Sequence, residues 1–130
     1  MLDKPSVLYN LDVVMWQVVF SQQVADWLDR VNNETYELFH AAVKVLQEGG
    51  PSLGRPLVDR LKGSQFHNMK ELRPGSTGRS EIRAIFVFDP TRQAIILVVG
   101  DKRHQWESWY KTALPQAERM YETYLRGEEI

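Results

Sequence analysis

Read from its start, the chain changes hydrophobic period several times, and each change predicts an element. Val14–Phe20 is rich in β-branched and aromatic residues and predicts a first strand. Ser21 then offers an N-cap, and Val24, Trp27, Leu28 and Val31 recur at three- and four-residue intervals, the spacing of one helical face. Asn33 is the expected cap of a longer helix with an apolar stripe of Tyr36, Leu38, Phe39, Ala42, Val43 and Leu46, ended by Gly49-Gly50-Pro51. A loop of about Asn32-Asn33 makes the two helices an antiparallel hairpin whose stripes, aromatics included, form core over a sheet.

Beyond the hairpin the pattern turns to strands. From Pro51 to Gly63 the chain is broken by Gly54, Pro56 and Gly63, and Leu57, Val58 and Leu61 are expected to tuck this loop against the body. His67–Arg73, Arg79–Phe88 and Gln93–Gly100 read as three strands of a meander, separated by turns at Pro74–Gly78 and Asp89–Arg92. A last helix over Gln105–Arg126 carries Trp106, Trp109, Tyr110, Leu114, Met120, Tyr121 and Tyr124. Pro115 is expected to kink or divide it, and Trp106 and Trp109 to be core. The order β-α-α-β-β-β-α is an α+β fold: a helical hairpin packed on a mainly antiparallel sheet, with a C-terminal helix. Residues 1–13 have no clear period and are expected to form an N-terminal arm, with one domain over 14–130.

Composition narrows the classes. At 130 residues and 43% hydrophobic the chain suits one core. With no cysteine it has no disulfide, thiolate metal site or Cys nucleophile, which suits a reducing compartment. The longest apolar stretches, Val13–Phe20 and Ala94–Val99, are too short to cross a bilayer, and no signal segment opens the chain, so a cytoplasmic protein is expected. His40, His67 and His104 fall on different predicted elements without ligand-like spacing, so neither a metal nor another cofactor is expected. Formal net charge is −1, but Arg55–Arg103 holds ten Lys/Arg against five Asp/Glu, a basic centre between acidic flanks. Such asymmetry builds a local surface that attracts anions.

Strand parity says where chemistry could gather. In Arg79–Phe88, alternation sets Ile82, Ala84, Phe86 and Phe88 on one face and Arg79, Glu81 and Arg83 on the other. In the strand before it, Leu72 joins the apolar face while Glu71 and Arg73 fall opposite. Lys102, Arg103 and His104 close the last strand. A cluster of Arg73, Arg79, Arg83, Lys102 and Arg103 beside Trp106, Trp109 and Tyr110 is therefore expected. Planar guanidinium groups suit phosphate and aromatic faces suit unpaired bases, an RNA-binding combination. The alternative is a surface network in which Glu71, Glu81 and Asp101 pair with those arginines.

Three segments, Lys70-Glu71-Leu72-Arg73, Gly78–Phe86 and Gly100-Asp101-Lys102-Arg103, in this order behind a helical hairpin, resemble the RelE/ParE toxin superfamily over Val14–Leu125. Trp106, Trp109-Tyr110, Pro115, Tyr121 and Tyr124 are similar to its phage-derived HigB-like branch. The chain departs from the pattern where the family's strand lysines correspond to Met69 and Glu71, and where Tyr110 stands one place beyond the usual spacing from Arg103. The resemblance implies a RelE-like (microbial RNase-like) fold and a type II toxin-antitoxin toxin: an mRNA interferase that cuts mRNA on the ribosome without metal and inhibits translation. Under it Arg83 and Arg103 stabilise phosphate charge, and Tyr110 transfers a proton or stacks. His104 is an added acid/base candidate because its ordinary pKa lies near neutrality, while Arg73, Arg79, Lys70 and Lys102 bind RNA. It further implies a cognate antitoxin, of helix-turn-helix type, in a hetero-oligomer. Two alternatives share the scaffold: a ParE-like DNA gyrase inhibitor and a catalytically degenerate binding module.

Overall fold

The computed structural model describes residues 15–130, so the arm assigned to 1–13 and the start of the first predicted strand lie outside the described residues. The elements are β1 (Gln17–Phe20), α1 (Gln22–Arg30), α2 (Asn33–Gly49), β2 (Val58–Arg60), β3 (Met69–Leu72), β4 (Ile82–Asp89), β5 (Gln93–Asp101) and α3 (Glu107–Leu125). The fold is α+β as expected, with one strand more than the pattern predicts. Strand β2 lies where a tucked loop was expected, its residues Val58, Asp59 and Arg60 pairing antiparallel with Leu72, Glu71 and Lys70. Three residues are too few to show alternation, so this strand exists through its partner rather than through its own pattern.

Caps set the hairpin. Ser21 accepts from the Val24 amide at 3.3 Å and its hydroxyl donates to the Leu97 carbonyl at 2.7 Å, fixing the start of α1 to the sheet. For α2 the cap is Asn32 rather than Asn33, because the Asn32 side chain reaches the Thr35 amide, three residues on, at 2.8 Å. Gly50, with φ of 54°, ends the helix in a conformation that suits glycine.

The five strands lie in the order β1-β5-β4-β3-β2. Strand β1 runs parallel to β5 and the other neighbours are antiparallel. One face receives the helical hairpin, with Val24, Phe39 and Leu46 against Leu72, Ala84, Phe86 and Ile96. The other receives α3, with Trp109, Ala113, Ala117 and Tyr121 against Met69, Ile85, Val87, Ile95 and Leu97. Because β4 and β5 are covered on both sides, they read as continuous apolar runs. Burying each large side chain there contributes roughly 1.5–3 kcal/mol. The β4–β5 register shifts at Ile85/Phe86, which face Val98 and Ile96, so Leu97 is the extra residue of a bulge and packs under α3 with Val98.

Three expectations about α3 and the core change. Helix α3 runs unbroken through Pro115. Proline withholds a hydrogen bond from the carbonyl of Lys111, and since both residues are exposed, water can satisfy it. Tyr36 leaves the hairpin stripe for the surface, 42% exposed and stacked on His40. Trp106 is 56% exposed rather than core, because it stands in the turn before α3 with φ of 45°, one residue before the helix begins. No helix among the described residues is long and apolar enough to cross a membrane.

Candidate functional site

Strand β3 sends Glu71 to the α3 side of the sheet, opposite Ile85 of β4. The carboxylate is 2% exposed, and such a group persists in an interior only if it is hydrogen-bonded and paired. It has both. Arg73, on the same side two residues on, places Nε 3.0 Å from Glu71 Oε1 and Nη2 3.1 Å from Asp59 Oδ2 of the edge strand. Tyr110, on the first turn of α3, donates its hydroxyl to Glu71 Oε2. Burial pulls Arg73 down, yet the hydrogen bond and charge of Glu71, with Asp59, hold it above the ordinary arginine value.

Tyr110 is the meeting point. Lys102 Nζ donates to its hydroxyl at 3.3 Å and lies over its ring at 5.2 Å and over that of Trp106 at 5.3 Å, a cation held between two aromatic faces. Trp109 meets Tyr110 edge to face at 5.0 Å between ring centres. Burial, then the hydrogen bond to Glu71 and its charge, push the Tyr110 hydroxyl well above the ordinary tyrosine range, against an opposing pull from Arg83. The hydroxyl therefore keeps its proton at neutral pH.

Arg83 stands on β4 opposite Gly100. Its Nη2 lies 3.1 Å from Glu81 Oε2 and its Nη1 donates to the Ile82 carbonyl at 2.9 Å. Its Nε is buried with no hydrogen-bond partner among the described residues. An unmet interior donor costs about 1–3 kcal/mol. Arg83 also acts on Tyr110, whose hydroxyl it draws toward ionisation by its charge and a hydrogen bond.

The expected cluster divides. Arg73, Arg83, Lys102 and Tyr110 come together around Glu71. Arg103 is turned toward the β3–β4 loop, its Nη1 donating to the Gly78 carbonyl and its amide to Asp101 Oδ1 at 3.0 Å. His104, with φ of 71°, is exposed in the following turn. Arg79 does not join Arg83. It lies before β4 begins, in a loop bent by Gly78 at φ of 88°, so strand alternation does not govern it, and it lines a groove of about 590 Å³ with Trp27, Asn32 and Ser80 on the hairpin side. Lys70 also stands apart, since it pairs with Phe86 of the hairpin-side core and so faces away from Glu71.

Two carboxylates organise the site more than the sequence reading foresaw. Glu71 was expected only to neutralise arginines at the surface, whereas it is buried and holds Tyr110 as well. The available signal was parity: Glu71 shares its face with Met69, an apolar neighbour that α3 covers. Asp59 carried no signal, because its strand exists only by pairing with β3. Together the groups can grip phosphate oxygens with guanidinium and ammonium donors, and can pass a proton through a phenol to a buried carboxylate.

Comparison with known proteins places the fold and the family. Residues 26–122 match the family described as phage derived protein Gp49-like. Two relatives from Mycobacterium tuberculosis carry toxin names. HigB2 is 51% identical over 80% of this chain, which spans about half, 52%, of that relative's length. HigB3 is 43% identical over 85% of this chain and 95% of its own. Among solved structures, a substituted form of the Escherichia coli toxin RelE in the free state has a TM-score of 0.57 at 12% identity, covering 78% of this chain and 97% of its own. The archaeal RelE in its RelE-RelB complex from Pyrococcus horikoshii has a TM-score of 0.50 at 20% identity, covering 68% and 96%. At these identities the solved structures speak for the fold, a RelE-like one, while the sequence matches place the chain itself: it belongs to the phage-derived Gp49-like family, with HigB2 and HigB3 among its relatives.

Proposed function

We propose that this chain is the toxin of a type II toxin-antitoxin system and acts as a metal-independent endoribonuclease on mRNA at the ribosome. The observation that carries the reading is the Tyr110 hydroxyl, held between the Glu71 carboxylate and the Lys102 ammonium with Arg73 and Arg83 in the same cluster. The toxin names of HigB2 and HigB3 support the class, and the RelE-RelB complex among fold relatives supports an antitoxin as partner.

In this chemistry the ribose 2′-hydroxyl attacks the adjacent phosphorus, the P–O5′ bond breaks, and a 2′,3′-cyclic phosphate forms. The 2′-hydroxyl proton passes to Tyr110 Oη as the tyrosine's own proton moves to Glu71, so the phenol never carries full charge. Arg73 and Arg83 stabilise the added charge on the phosphorane oxygens. Lys102, beside Tyr110, gives the proton that the departing 5′-oxygen takes up. Arg103, turned toward Gly78, and the exposed His104 fall outside the contacts that join Tyr110, Glu71 and Lys102. Arg79 and Lys70 fall outside this constellation.

One observation favours a second reading. Arg73 is already paired with two carboxylates and Arg83 with one, as in a binding module of the same fold that has lost catalysis. Programmed ribosomes incubated with the purified chain decide between them. The nuclease reading expects scission in the A-site codon, lost in Tyr110→Phe. Intact mRNA with wild-type protein overturns it, and gyrase-dependent DNA breaks in a parallel assay would assign the ParE-like alternative instead.

A further inference from the structure

Arg60 and Lys70 stand directly opposite one another in the β2–β3 ladder, at the outer edge of the sheet. Like charges so placed repel, and a sheet keeps such a pair at a cost in stability. Asp59, next to Arg60 in the chain, acts on it by charge but forms no ion pair with either cation. From Arg55 to Lys70 the sequence has four Lys/Arg and a single acid, Asp59. That acid is engaged by Arg73 at 3.1 Å and Arg55 at 3.4 Å. Glu118, which reaches this region from α3, accepts from the Gln65 amide at 2.8 Å and the Ser64 hydroxyl at 3.2 Å. Among the described residues Arg60, Lys62 and Lys70 take part in no ion pair.

Grooves flank the pair on both sides. One, of about 350 Å³, is lined by Arg60 and Lys70 together with Ser64 and His67. The other, of about 280 Å³, is lined by the same two cations with Arg55 and Gly54. Phe66 packs edge to face on Tyr121 at 5.0 Å and Met69 is 2% exposed, which leaves half-buried Leu61 as the apolar side of the larger groove, while Leu53 and Val58 line the smaller one. The larger groove therefore offers charge and few apolar anchors.

We propose that this edge is a binding surface for the phosphate backbone of single-stranded RNA, with Arg60 and Lys70 each neutralising one phosphate and Lys62 and His67 extending the track. A strand held by charge alone needs no apolar pocket, whereas an acidic peptide docking as a helix or strand is anchored by apolar side chains that find little purchase here. Bound phosphates also convert the repulsive cross-strand pair into an attractive site, which explains why two cations share one register position. The surface lies around the sheet edge from Tyr110, since Lys70 faces away from Glu71, and it gives the chain a hold on RNA distinct from the place of cleavage. The inference rests on the RNA-directed reading above, and the two fail separately because binding and cleavage are measured apart.

The test uses the full chain and a fluorescein-labelled oligoribonucleotide with every 2′-oxygen methylated, which binds without being cut. Arg60→Gln/Lys70→Gln is expected to weaken binding about tenfold and to reduce the slope of log K against log salt by about 1.4, two phosphates at roughly 0.7 each for single strands. Each single variant should account for about half of that change, and Arg60→Lys for little of it. A double variant with unchanged affinity and slope overturns the proposal. So does a double variant that keeps its RNA affinity but loses binding to a polyglutamate peptide of equal length, which would make this edge an acidic-protein site.

Discussion

Tyr110 donates its hydroxyl to Glu71, a residue 39 positions earlier in the chain and 2% exposed. The contact ties the first turn of α3 to the middle of β3, so the tyrosine is held by packing and by a buried acceptor rather than by its own rotamer preference. Tyr110→Phe keeps the ring and removes the bridge. Under the proposed chemistry it should lower single-turnover mRNA cleavage about 10²-fold or more, the usual contribution of a positioned proton-transfer group. Glu71→Gln should fall by a similar factor, since it keeps a partner for the hydroxyl but removes the proton acceptor. Cleavage within threefold of wild type in both variants would remove the relay from the mechanism.

The same pair separates stability from activity. Tyr110→Phe leaves the Glu71 carboxylate short of one donor and should cost about 1–3 kcal/mol in urea unfolding. Replacing Glu71 by leucine in that background removes the buried charge, while Arg73, partly exposed, keeps Asp59 at 3.1 Å. Buried polar groups replaced together by apolar ones cost far less than one partner removed. The double variant should therefore recover at least about 1 kcal/mol relative to additivity while remaining inactive. Additive losses in the unfolding midpoints would show that the two groups are not coupled.

Much of this site is legible in the sequence, and the parts that are not have identifiable causes. Alternation placed Glu71 and Arg83 on one face correctly, because β3 and β4 are regular where those residues sit, and Arg73, one residue past the end of β3, keeps that side through its bond to Glu71. It misplaced Arg79, because the strand begins three residues later than the pattern suggests and a glycine turn intervenes. Trp106 looked like core from its spacing with Trp109, yet helical spacing has meaning only inside a helix, and Trp106 precedes one. Ser21 was found from the cap rule, whereas its second bond, to Leu97 across 76 positions, has no local signature. Strand β2 is the extreme case of a three-residue element defined wholly by its neighbour.

Gly100 provides a test of how closely the site is packed. It pairs with Arg83 across the β4–β5 ladder, and a methyl group on its Cα would lie 2.6 Å from Trp109 Nε1 and 3.2 Å from Cε2. The indole occupies the place a side chain would take. Gly100→Ala should therefore displace Trp109 and cost about 1–3 kcal/mol, the range for overpacking a filled core. Because Trp109 packs against Tyr110, the shift should also move the tyrosine and lower cleavage. Near-ultraviolet circular dichroism and tryptophan emission report the displacement. Unaltered spectra with wild-type stability would mean that the indole has room to move.

The high pKa of Tyr110 makes a prediction about alkali. Burial and then Glu71 raise its hydroxyl above the ordinary value of 10.0, so the folded state binds the proton more tightly than the unfolded chain does. Stability from this group is complete below the unfolded value and is lost as pH rises from there toward the folded one. Tyr121, raised first by burial with Asp89 adding to it, acts in the same direction. The urea midpoint should thus hold steady from about pH 8 to about pH 9.5 and decline above roughly pH 10, where unfolded tyrosines ionise. In Tyr110→Phe the decline should be shallower, since one of the two contributing hydroxyls is gone. On the native protein, absorbance of tyrosinate should show these two residues ionising only with unfolding. A tyrosinate signal from Tyr110 near pH 10 in folded protein would contradict the enclosed donor on which the proposed relay depends.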